Sequence, residues 1–156
     1  CRQCRLARRR TKFEMMQFQL ITLAGVKLDE PVYEVMIPTT EGQIAVFPSH
    51  EPLVAVAQPG AVAVRRQKTD SDDQLEYFAI SGGVVEINQQ RVRILVDEAE
   101  HGEDIVEAET QAALERALKM RDEAQDQVEL EKAHQLVDRH RVRLHVAGLR
   151  RRHRRR

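Results

Sequence analysis

The stretch Glu41-Gly42-Gln43-Ile44-Ala45-Val46-Phe47-Pro48-Ser49-His50-Glu51-Pro52-Leu53 decides the fold class of this chain. A Gly-bearing turn, a short apolar run and a second turn framed by Pro48 and Pro52 follow one another at hairpin spacing, and Leu53 opens another apolar run. Two prolines so close cannot sit inside a helix, because each lacks a backbone donor. Working outward, the same punctuation recurs. Gly25, Thr39-Thr40-Glu41-Gly42, Gln58-Pro59-Gly60, Thr69-Asp70-Ser71-Asp72-Asp73, Ser81-Gly82-Gly83 and Asn88-Gln89-Gln90 separate short, mostly apolar runs. Upstream, Phe18, Leu20 and Thr22 alternate with Gln17, Gln19 and Ile21, and Val32, Val35 and Ile37 continue an apolar-rich run interrupted at Pro31. Turns at intervals of roughly 8–12 residues predict about eight to ten antiparallel strands in a sandwich or barrel, ending with Arg91-Val92-Arg93-Ile94-Leu95-Val96.

Beyond that strand the pattern changes period. Near His101, Val and Ile give way to Ala and Leu, and the spacing becomes helical. Glu103-Asp104 suits the positive end of a helix dipole. Ile105, Ala108, Ala112, Ala113 and Ala117 then form one narrow stripe, and Val128, Leu130, Ala133, Leu136, Val137, Val142, Leu144 and Val146 form a second, with Gly148 placed as a C-cap. Two helices joined near residues 121–127 are predicted, so the fold class is α+β: an N-terminal antiparallel β-sandwich followed by a C-terminal two-helix hairpin. The domain boundaries are 1–15 (a basic leader or cloning remnant outside the fold), 16–101 (sandwich), 102–149 (hairpin) and 150–156 (basic tail). An Ala stripe buries little area, about 1 kcal/mol or less for each residue. Such a hairpin is expected to be weakly attached and able to move.

The chain has 156 residues, 4% of them aromatic and none Trp, so its core must be aliphatic. Its 25 basic and 25 acidic residues cancel, yet they are segregated. Residues 1–15 hold 6 basic and 1 acidic, residues 16–100 hold 6 and 13, and residues 101–156 hold 13 and 11. Past Asp138 run Arg139, Arg141, Arg143, Arg150, Arg151, Arg152, Arg154, Arg155 and Arg156 without an intervening acidic residue. Such a run fits an acidic protein surface, an anionic lipid surface or nucleic acid. A β-sandwich binding module using this basic tail for nucleic acid is therefore the alternative reading, and it predicts salt-sensitive binding.

Several function classes find no support. No window approaches the ~18 apolar residues of a membrane span. The lone Cys1-x-x-Cys4 lacks the further ligands of a zinc site and the strand and helix of a redox motif. Ser81-Gly82-Gly83 precedes a strand and carries no P-loop Lys. Ser49-His50-Glu51 has triad residue types, but sequence neighbours do not face one another as a triad. No catalytic, cofactor or metal residue is assigned, and a stand-alone hydrolase is the weakest reading.

The ordered motifs resemble the epsilon subunits of F-type ATP synthases, called delta in mitochondria. The likeness runs from Met16 to about Arg150: Glu41-Gly42 through Pro48-Ser49-His50-Glu51-Pro52-Leu53, then Pro59-Gly60, the Ser81-to-Ile87 strand, a Leu95-x-Asp97-x-Ala99 element and two Ala-rich helices. Ala45 and Ser49 stand where the family usually has Gly, and Gln43 where a Glu is common. The resemblance implies a ten-stranded sandwich that binds the gamma subunit and sits on the ring of c subunits, passing proton-driven rotation to the central stalk without catalysis of its own. It implies gamma contacts at His50, Pro48 and Pro52 and c-ring contacts at Gln43 and Glu41. It also implies that the hairpin inhibits ATP hydrolysis by meeting the alpha/beta catalytic head through Arg139, Arg141, Arg143 and Arg150. The implied location is the cytoplasmic face of a bacterial cell membrane, peripherally attached, with no nucleic-acid partner. Some members bind ATP at the first helix through an Ile/Leu-Asp-x-x-Arg-Ala element. Aligned on Asp104-Ile105, this chain has Val106, Glu109 and Thr110 at the key positions, and no tight ATP binding is expected because a carboxylate repels phosphate.

Overall fold

The computed structural model describes residues 15–154, so the leader and the Cys1/Cys4 pair lie outside the described residues. Ten strands run in chain order: β1 Met16–Thr22, β2 Gly25–Val32, β3 Glu34–Thr39, β4 Gly42–Val46, β5 Leu53–Ala57, β6 Gly60–Arg65, β7 Glu76–Ile80, β8 Gly83–Ile87, β9 Arg91–Val96 and β10 Ala99–His101. Helix α1 covers Glu107–Glu123 and α2 covers Gln127–Arg154.

The strands follow the order β10-β7-β6-β3-β5-β8-β9-β1-β2, with β4 added to β3. At β3 the sheet folds over. Its first half pairs with β6 through Glu34, Val35 and Met36, whereas only Thr39↔Ala57 joins it to β5. Two layers result, β10-β7-β6-β3-β4 and β5-β8-β9-β1-β2, and their inner faces share one aliphatic core. Phe18, Leu20, Val85 and Ile94 meet Val35, Val62, Val64 and Phe78 there, all buried. The alternation along β1 is realised in full, with Met16, Phe18, Leu20 and Thr22 buried.

Pairing is antiparallel with one departure from expectation: β1 lies parallel to β9, from Gln17↔Arg91 to Ile21↔Leu95. A strand that enters from one end and one that returns after several hairpins share a direction, and turn counting does not reveal which strands end up as neighbours. A second correction is β10, since the chain makes one more short strand after Val96, paired with β7. The free margins of the two layers meet across Arg66, which binds Glu76 at 2.5 and 3.0 Å and also Glu30 on β2. The hydrogen bond from Arg66 holds the Glu76 carboxyl below its ordinary range.

Both faces of β6–β7 are covered. Val62, Val64, Phe78 and Ile80 point into the sandwich, while Ala63, Tyr77 and Ala79 pack against Ile105, Val146 and Ala147 of the helical part. The hairpin is therefore docked on the sandwich, with small residues on the sheet allowing close approach.

Three details of the helices differ from the sequence expectation. Glu103 and Asp104 belong to a 3-10 turn at Gly102–Asp104, and Glu107 and Glu109 occupy the first turn of α1 instead. Ala108 and Ala112 are exposed, while Thr110 and Ala117, two turns apart, are buried: Ile105 lies before the helix and does not set its phase. Helix α2 does not stop at Gly148, which shows no positive φ; it continues through Arg150. Leu149 packs beside the buried Ala147 cluster and Arg150 donates to Gly102 O at 2.9 Å, so tertiary contacts carry the helix past the glycine. The start of α2 is capped by Asp126, whose Oδ1 accepts from Glu129 N at 2.8 Å.

Candidate functional site

The Pro-framed turn between β4 and β5 is rigid. Ser49 adopts φ 68°, the sole positive φ at a non-glycine among the described residues, and its N–H donates to Gln89 O at 2.9 Å. His50 N–H donates to Phe47 O at 3.2 Å, and the Nδ1 atom lies 2.7 Å from Glu51 O. Only a protonated Nδ1 can donate to that carbonyl, which assigns the tautomer of a neutral ring. Phe47 packs edge-on against Tyr33 with centroids 5.7 Å apart. Gln89 itself lies in a turn held by Asn88, whose Oδ1 accepts from Gln90 N and Arg91 N. His50 and Pro48 are half-buried; Glu51 and Pro52 are exposed.

The β3–β4 hairpin carries Glu41 and Gln43, both exposed. Thr39 Oγ1 donates to Gly42 O at 2.6 Å and accepts from Glu41 N at 3.3 Å, while Gly42 supplies the φ of 115° that the turn demands. Strand β5 starts beside the His50 turn at Leu53 and ends at Ala57, the partner of Thr39. At ~3.3 Å per residue the Gln43 and His50 loops are thus separated by about 13 Å or more of strand, at opposite ends of the sandwich. They form two surfaces and cannot share one pocket.

Three arginines of α2 are engaged by the sandwich and the turn that follows it. Arg139 Nη2 lies 2.6 Å from Glu98 Oε2, and Arg143 donates from Nη2 to Glu100 at 2.9 Å, while its Nε lies 2.6 Å from the second carboxylate oxygen at an angle that makes no hydrogen bond. Arg150 reaches Gly102 O, and Arg151 lies 3.1 Å from Glu107. Arg141 is exposed on the other side of the helix. Three of the four arginines assigned to the catalytic head therefore face the sandwich in this closed arrangement.

One surface was missed by sequence reasoning. On the outer face of the β5-β8-β9-β1-β2 layer, Val56 pairs with Val84, Val84 with Leu95, Leu95 with Ile21, and Ile21 with Val26. This is an unbroken apolar row across five strands, with Val56 56%, Val84 45%, Leu95 42% and Val26 61% exposed. Val54, 70% exposed, extends it toward the His50 turn. A signal was present in Leu53-Val54-Ala55-Val56-Ala57, apolar at every position although only Ala57 is buried. Such a run marks a strand with two apolar faces.

A family model described as the beta-sandwich domain of the ATP synthase delta/epsilon chain matches residues 15–102. The chain belongs to that family. It is 38% identical over 137 residues to the ATP synthase epsilon chain of Herpetosiphon aurantiacus, covering 87% of this chain and 96% of the relative. Against the epsilon chain of Rippkaea orientalis the identity is 34%, with 85% and 96% covered. A chain in the cryo-EM structure of the Euglena gracilis mitochondrial ATP synthase superposes with a TM-score of 0.72 at 25% identity, covering 87% of this chain and 82% of that one.

Ser49 holds a left-handed backbone position without being a glycine, so the turn keeps its shape at some conformational cost. At the positions aligned above with the ATP-binding element of some family members, Val106 is the N-cap of α1, and the buried Thr110 hydroxyl donates to Val106 O at 2.8 Å. Both positions serve the start of the helix. No helix among the described residues is long and apolar enough to cross a membrane, and no group of three or more His, Cys, Asp or Glu is poised to hold a metal there.

Proposed function

We propose that this chain is a non-catalytic rotor subunit of an F-type ATP synthase, coupling rotation of the c-ring to gamma. The observation that carries this reading is the apolar row Val56–Val84–Leu95–Ile21–Val26 on the face opposite the docked helices, backed by five paired strands. A joint that transmits torque needs stiffness and area, roughly 1,000 Å² or more. The row supplies an apolar centre, and the His50 turn with Pro48 and Pro52 supplies a rigid rim toward gamma. Glu41 and Gln43, at the other end, serve the c-ring. Attachment to a bacterial membrane on its cytoplasmic face follows from that assembly.

The hairpin adds inhibition of hydrolysis. Release from the sandwich frees Arg139, Arg143 and Arg150 to join Arg141 against acidic residues of the catalytic head, so the same guanidinium groups serve the closed and the extended forms in turn. Pull-down of the chain with purified gamma tests the rotor reading, and His50→Ala should weaken stoichiometric capture. Absence of gamma binding, together with salt-sensitive retention on nucleic acid, would favour the basic-tail reading instead.

A further inference from the structure

The closed hairpin holds a histidine that the rotor function does not use. His140 lies on α2, three residues after Val137 and seven after Ala133, so it continues the stripe formed by those two buried residues. Its Nδ1 is buried with no hydrogen-bond partner among the described residues. The charged groups acting on the ring are Arg143 and Arg139 on its own helix and Arg116 on α1. Two of these arginines are themselves paired with carboxylates of the sandwich, Arg139 with Glu98 and Arg143 with Glu100, and no carboxylate acts on the ring. A proton on His140 would therefore find no acceptor and three guanidinium groups.

We propose that His140 is a proton-operated catch, and that acidification loosens the hairpin by placing a positive charge inside the closed form. Loss of solvation and, after it, repulsion by Arg143, Arg139 and Arg116 hold the imidazole below its ordinary range. A group held down in the closed form binds fewer protons there than in the open form. Its contribution is thus fully present above the ordinary histidine value of about 6.5 and is lost as pH falls toward the closed-form value. His101, at the end of β10, lies with its Nε2 3.6 Å from Glu76.

The test is hydrogen exchange on the full chain, corrected for intrinsic rates, at pH values above and below about 6.5. Amides of α1 and α2 should lose protection by up to about tenfold per pH unit on the acid side, the limit for one proton, while sandwich amides hold theirs. His140→Gln should flatten the response. Parallel loss in His140→Gln and in the unaltered chain would overturn the proposal. Imidazole ¹⁵N spectra of the unaltered chain provide a check that needs no variant: the His140 resonance must titrate over the pH interval in which the helices lose protection. Complete titration with constant helix protection would also overturn it.

Discussion

Replacing Val84 by Asp places one charge at the middle of the apolar row, between Val56 and Leu95. Full burial of a Val or Leu side chain is worth about 1.5–3 kcal/mol. Val84 is 45% exposed, so covering the remainder contributes about 1 kcal/mol at this position. The carboxylate removes that gain and must also be stripped of water against apolar neighbours, at a further cost of about 2 kcal/mol or more. The sum, about 3 kcal/mol, corresponds to a loss of gamma affinity of roughly 100-fold. Folding should suffer by less than about 1 kcal/mol, because the side chain points out of the sandwich and the penalty is one of strand propensity. Calorimetric titration of purified gamma with the unaltered chain and with Val84→Asp, alongside thermal melts of each, measures both quantities. A folded Val84→Asp that binds gamma within about threefold of the unaltered chain would show that the row is not the joint.

Three further substitutions probe the scaffold and the hairpin. Gly148→Ala should raise stability by about 1 kcal/mol, since a Cβ there meets nothing within 4 Å and the position lies inside a helix; a loss on thermal melting would reinstate the helix end at this residue. Gly83→Ala should lower stability by about 3 kcal/mol or more, because its Cβ would fall 1.9 Å from the backbone oxygen of Leu95 and neither strand can yield without breaking the β8–β9 ladder; denaturant melts measure the loss. Arg143→Ala removes an ion pair with Glu100 that holds one charge-assisted hydrogen bond, worth about 1.5 kcal/mol, so α2 amides should exchange about tenfold faster, with a smaller difference in high salt. Equal exchange rates would mean that the apolar contacts alone hold the helices down.

Most of the sandwich could be read from local chemistry. The Gly42 hairpin, the Pro48–Pro52 turn and the alternation of Met16, Phe18, Leu20 and Thr22 all follow from rules acting over a few residues, and all appear in the structure. The errors arose where distant parts of the chain decide. The parallel β1–β9 pair joins Gln17 to Arg91, and β10 exists because Ala99 finds Ile80. Gly148 carried a stop signal that Arg150 and Gly102 override. The candidate site divides the same way. The His50 and Gln43 loops were visible as turns, but the apolar row is assembled from single residues of five strands and has no continuous signature. The ion pairs of Arg139 and Arg143 depend on which face of α2 meets Glu98 and Glu100, a matter of docking angle beyond any periodicity.

The seating of β1 beside β9 sets an order on biosynthesis. The first strand emerges from the ribosome about 70 residues before the partner that closes one of its sides, so β1 and β2 must wait as a hairpin with an open margin. Such long-range pairing is slow to form. A chain cut short before Arg91 leaves that margin unfilled and should be prone to aggregation, whereas one cut after His101 retains all ten strands. The helices, made last, arrive at a sandwich that can already be complete, as the proposed release of the hairpin requires.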